Sequence, residues 1–88
     1  MGFHDPFAID FAHELIDQLR TLPVEARMAL AAVLEAVAYD PVGSGVRYLA
    51  TLPEEWRMMF FGDGVGMVAY VVSAKHRRIY VTNITWAG

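Results

Sequence analysis

Apolar residues follow two different rhythms along the chain. Over positions 8–38 they recur every three or four residues, and over 56–86 they crowd into three runs separated by short polar turns. Ala8, Phe11, Ala12, Leu15, Ile16, Leu19 and Leu22 keep the spacing of an amphipathic helix, which predicts helix 1 at about 9–20. Residues 1–7 read as an irregular lead-in that admits a short edge strand around 7–11. Pro23 suits the start of a second helix because its missing N–H costs nothing there, and Glu25 lies near the positive helix end. Ala26, Ala29, Leu30, Val33, Leu34 and Val37 form one stripe, so helix 2 is expected over 24–38, stopped by Asp40-Pro41. The short connector makes the two helices an antiparallel pair.

The second half reads as sheet. Positions 41–54 hold Pro41, Gly43, Gly45 and Pro53 and form a loop that carries Arg47, Tyr48 and Leu49 across. Runs 56–61, 67–74 and 78–86 are rich in β-branched and aromatic residues, the side chains that suit a pleated surface. Gly62-Asp63-Gly64 and Lys75-His76-Arg77 are short enough to make adjacent strands antiparallel hairpins. The expectation is a single α+β domain over 1–88, with two N-terminal antiparallel helices packed on a three- to four-strand antiparallel sheet.

Strand alternation then divides the faces. In the first long strand Trp56, Met58 and Phe60 point one way and Arg57, Met59 and Phe61 the other. In the last, Ile79 and Val81 oppose Arg78, Tyr80, Thr82, Ile84 and Trp86. Helices cover one face only. The other is expected to carry Met59, Phe61, Tyr80 and Trp86 together with arginine, the composition of a partner-binding surface.

Composition sharpens this picture. Of 88 residues 56% are hydrophobic, which calls for a dense core, an apolar interface, or both. The absence of cysteine excludes disulfides, thiolate metal sites and a cysteine nucleophile, and suits the cytoplasm. No run approaches a membrane span, and the first ten residues lack the basic start of a secretory signal. No metal or cofactor is expected. Net charge is −3, against a general nucleic-acid binder. Beyond Glu55, however, Asp63 alone opposes Arg57, Lys75, Arg77 and Arg78.

The run Glu55-Trp56-Arg57-Met58-Met59-Phe60-Phe61-Gly62, followed by Met67-Val68-Ala69-Tyr70-Val71-Val72, resembles the RelE/ParE toxin superfamily. So do Ala38-Tyr39-Asp40-Pro41 at the end of helix 2 and the closing strand of residues 78–86. The resemblance implies a bacterial toxin of a type II toxin–antitoxin pair, neutralised by a cognate antitoxin. RelE-like members cut messenger RNA on the ribosome as endoribonucleases; ParE-like members act on DNA gyrase without an active site of their own. Arg57 matches the first basic position of the nuclease pattern. Met59 stands at the second, and Gly66 or Met67 where an arginine follows the turn.

Cleavage through the 2′-OH needs a base, an acid and cations near the phosphate. Arg57 and Arg78 are the catalytic candidates. Arg57, Lys75, His76, Arg77 and Arg78 are the RNA-binding candidates, with His76 able to exchange a proton near neutral pH. The plainer reading is a surface arginine on a strand and a solvated hairpin tip. A non-catalytic binding module on the same fold is the alternative function. The apolar excess also points to a homo-oligomer or a hetero-complex.

Overall fold

The computed structural model describes residues 5–53 and 55–88. The elements run β1 (Ala8–Phe11), α1 (Leu15–Thr21), α2 (Val24–Tyr39), β2 (Val46–Arg47), β3 (Trp56–Phe61), β4 (Gly66–Ser73) and β5 (Arg78–Trp86). The strands form one sheet in the order β1-β5-β4-β3-β2. All neighbours are antiparallel except β1, which runs parallel to β5. Two helices on a largely antiparallel sheet is the expected architecture, with five strands in place of three to four. Of the expected lead-in, residues 1–4 lie outside the described residues.

The extra strands sit at the two edges. The edge strand admitted around 7–11 forms as β1, and helix 1, expected from about residue 9 because Ala8, Phe11 and Ala12 fit a helical stripe, starts later, at Leu15. Residues 8–11 also alternate, and alternation wins: Ile9 and Phe11 pack on the core while Asp10 pairs with Arg78 on the other side. Four residues bond along the edge of β5, and the Phe7 N–H donates to the Ala38 carbonyl at 2.8 Å. So short a run carries either period, and the open edge of β5 decides between them.

Leu15, Leu22, Ala26, Leu30, Leu34 and Val37 of the helical layer meet Phe61, Val68, Tyr70, Val72, Ile79, Val81 and Ile84 of the sheet. Asp40 ends α2. Its N–H bonds back to Ala36, and its carboxylate accepts from the Gly43 N–H at 3.0 Å, which turns the chain toward β2.

One irregularity sets which residues of β5 are buried. Ala69 pairs with Asn83 but Tyr70 pairs with Val81, so Thr82 is an extra residue on β5. A bulge of one residue reverses the alternation beyond it. Ile79 and Val81 point at the helices before the bulge, and Ile84 does so after it. Trp86 follows Ile84 and stacks on Phe61 with ring centroids 5.7 Å apart.

Candidate functional site

Register and the bulge together correct the expected partner-binding face, register for Met59 and Phe61 and the bulge for Trp86. Phe61 is 3% exposed, and Met59 and Trp86 pack against the same core, so these three belong to the helix-covered side. Tyr80 alone of the four stays on the open side, 39% exposed. Trp56, Met58 and Phe60 of β3 share that open side and pair across to Val71, Ala69 and Met67 of β4. Val46 of β2 sits opposite Met58, and Tyr80 opposite Val71. The open face thus has an uncharged apolar centre bordered by Asn83 and Thr85. Its charged border is Asp10 and Arg78, which neutralise each other across 2.9 Å. The alternation of β3 already put Trp56, Met58 and Phe60 together. Which side the helices cover was not written there; it follows from the pairing of Arg57 with Tyr70, and of Tyr70 with the core-facing Val81.

Arg57 is half-buried on the helix side. Its Nη2 donates to the Gly45 carbonyl at 2.8 Å, and it hydrogen-bonds the Tyr70 hydroxyl. That hydroxyl in turn donates to the Pro41 carbonyl at 2.9 Å. Arg57 and Tyr70 therefore lash the 41–46 segment to the sheet. Beside them Val42, Glu55, Arg57, Val72 and Ala74 line a cleft of about 300 Å3. Arg57 is the one cation of that lining.

Burial pushes the Tyr70 hydroxyl above the ordinary tyrosine value of 10.0, and the neighbouring Arg57 charge and hydrogen bond only partly offset this. A raised pKa means that the folded state favours the neutral phenol. Tyr70 should therefore leave stability level up to the unfolded value, then erode it as pH climbs from there to its higher folded value. Denaturant melts from pH 8 to 11 check this. The native chain should lose stability above about pH 10 more steeply than Tyr70→Phe.

The basic residues of the second hairpin do not converge on Arg57. Arg77 has a positive φ of 50°. Its guanidinium lies 4.6 Å over the Phe7 ring and donates to the Asp5 carbonyl. Arg78 is held by Asp10. Lys75 and His76 are exposed at the tip, with the His76 N–H bonded to the Ser73 hydroxyl at 3.3 Å. Tyr70 is paired with Arg57, and Lys75 lies five residues beyond Tyr70, in the turn past the end of β4, on the order of 15 Å away by strand spacing. Arg57 and the tip are two separate basic features, and Arg77 and Arg78 already have partners within the chain.

No protein-family model and no curated protein matches this sequence. Its structure, in contrast, is RelE-like in fold. The isolated Escherichia coli RelE toxin superposes with a TM-score of 0.79 at 18% identity, over 93% of this chain and 85% of that one. A chain of the intact E. coli RelBE toxin–antitoxin complex gives 0.77 at 18%, over 93% and 98%. A chain of the RelBE2 toxin–antitoxin complex of Mycobacterium tuberculosis gives 0.70 at 19%, over 93% and 99%. Among the described residues, no helix is long and apolar enough to cross a membrane.

Proposed function

We propose that this protein is the toxin component of a type II toxin–antitoxin pair, and that its open sheet face receives a protein antitoxin. Support comes first from the fold, which is shared with toxins crystallised as toxin–antitoxin complexes. The observation that carries the reading is the open face itself. Phe60 is 55% exposed among Trp56, Met58 and Met67, with no unpaired charge at its centre. Aromatic and methionine side chains with charges kept to the rim are the make-up of a protein-binding surface. An RNA-binding face would instead gather cations that reach phosphates.

Cleavage of ribosome-bound messenger is the second reading, and the Arg57 cleft is what favours it. Arg57 would steady charge on the phosphate there, and Lys75 and His76 would touch the RNA farther along. The Arg57 contacts described, with Tyr70 and Gly45, tie the 41–46 segment to the sheet, which is a structural use of the guanidinium. The binding reading is therefore preferred, with a protein target such as DNA gyrase in place of RNA.

Inducible expression in a bacterial host tests the proposal. Growth should stop on induction and resume when the product of the adjacent reading frame is co-expressed. Mapping of messenger ends in arrested cells should show no new cuts. Normal growth together with no complex between the two products would overturn the toxin reading. Cuts that vanish in Arg57→Ala would replace the binding reading with the nuclease one.

A further inference from the structure

The outer face of helix α2 carries three charges, Glu25, Arg27 and Glu35, among apolar residues. The inner side supplies Ala26, Leu30, Leu34 and Val37 to the core, as an amphipathic helix should. The outer side is also rich in apolar residues: Val24 is 59% exposed, Met28 68% and Tyr39 60%, with Ala31 and Ala32 exposed between them. An exposed helix face this rich in apolar residues invites a cover. Val24, Met28, Ala32, Glu35 and Tyr39 fall at spacings of three and four, so they form one stripe along the helix, with Glu35 as its one charge.

The charges on this face, Glu35 within the stripe and Arg27 at its flank, say what covers it. Arg27 and Glu35 lie four residues either side of Ala31, and neither joins an ion pair among the described residues. Eight residues apart on one helix, about 12 Å, they cannot reach each other. A second α2 laid antiparallel across Ala31 changes that. It sets Arg27 of each copy beside Glu35 of the other, twice, by symmetry. It also brings Val24 level with the last turn of the second copy's helix, where Tyr39 is exposed. Alanines at the crossing leave room for the roughly 8 Å approach of closely packed helices. A surface that complements itself in this way is the hallmark of a two-fold, isologous contact.

We infer that this chain pairs with a second copy of itself through the outer face of α2, with reciprocal Arg27–Glu35 contacts. The pairing goes beyond the toxin–antitoxin reading, does not depend on it, and leaves the open sheet face uncovered. One 16-residue helix face offers roughly half the 800 Å2 per partner of a standard interface, so the dimer should be weak and concentration-dependent.

Sedimentation equilibrium of the full chain over a roughly hundredfold concentration range, up to hundreds of micromolar, tests this. The mass should rise from 9.8 kDa toward about twice that. Arg27→Glu alone and Glu35→Arg alone should each weaken pairing about tenfold, by setting like charges together twice, and the double exchange should restore it. Circular dichroism controls for folding, since both positions are exposed. A mass fixed at 9.8 kDa throughout overturns the inference. So does a dimer indifferent to both single reversals, or one that the double exchange fails to rescue.

Discussion

Phe61→Ala should strip this protein of a large part of its stability. The side chain is 3% exposed, stacks on Trp86 at an interplanar angle of 18°, and lies over Gly66, where an added Cβ would come within 2.5 Å of its ring. A glycine in a strand interior has no side chain to pack, and here the cross-strand aromatic fills its place. Removing the ring opens a cavity, exposes Gly66 and strips Trp86 of its neighbour. Loss of a buried phenylalanine costs about 3–5 kcal/mol. The whole domain should be worth about 4–13 kcal/mol. A drop in Tm of roughly 15–30 °C is expected by calorimetry or circular dichroism. Phe60→Ala, one residue away on the open face, should change Tm by only a few degrees. Near-equal effects of the two substitutions would contradict the face assignment.

Gly45→Ala should be the next most damaging change, although it adds a single methyl. That Cβ would meet the Tyr70 hydroxyl at 2.2 Å and the Met58 carbonyl at 2.8 Å. Tyr70 is fully buried and cannot swing aside, and the carbonyl belongs to β3. The strain can be relieved only by moving Gly45 off the sheet. That parts β2 from β3 and takes the Gly45 carbonyl from Arg57. Crowding of this kind costs about 1–3 kcal/mol, with more lost if the buried Tyr70 hydroxyl is left without its partner. Chemical denaturation should show the loss. Hydrogen exchange should place the early opening at 41–48, ahead of the core strands.

Both predictions rest on details that the sequence showed unevenly. The two hairpins were plain, because Gly62-Asp63-Gly64 and Lys75-His76-Arg77 interrupt runs of strand-forming residues. Helix α2 was plain too, since Pro23 opens it and Asp40-Pro41 closes it. Positions 7–11 admitted the edge strand that forms, but they overlapped the start given to helix 1, because Ala8 and Phe11 satisfy both periods and only the vacant edge of β5 chooses between them. The open face was half legible: Trp56, Met58 and Phe60 were grouped correctly. The face of Met59 and Phe61 was not, because it depends on the pairing of β3 with β4 and of β4 with β5, nor was that of Trp86, because Thr82 bulges out of β5 and no local residue pattern announces it. Arg57 was singled out in the sequence, but its neighbours Gly45, Tyr70 and Pro41 come from separate segments.

The charge distribution carries the same lesson for function. Counted along the sequence, Lys75, His76, Arg77 and Arg78 make a basic cluster. In the fold, Asp10 takes Arg78, while Phe7 and the Asp5 carbonyl take Arg77. Segments more than 60 residues away neutralise or occupy what looked like a phosphate site. What remains prominent is the apolar centre of the sheet's open face.

The central claim is that this face, and not the Arg57 cleft, binds the antitoxin. Calorimetric titration of the purified chain with the product of the adjacent reading frame tests it directly, comparing Phe60→Glu with Arg57→Ala. A charge set into the centre of an apolar interface should weaken binding at least about thirtyfold, whereas Arg57→Ala should leave the affinity within about threefold of the native chain. Undiminished binding by a folded Phe60→Glu protein would contradict the account.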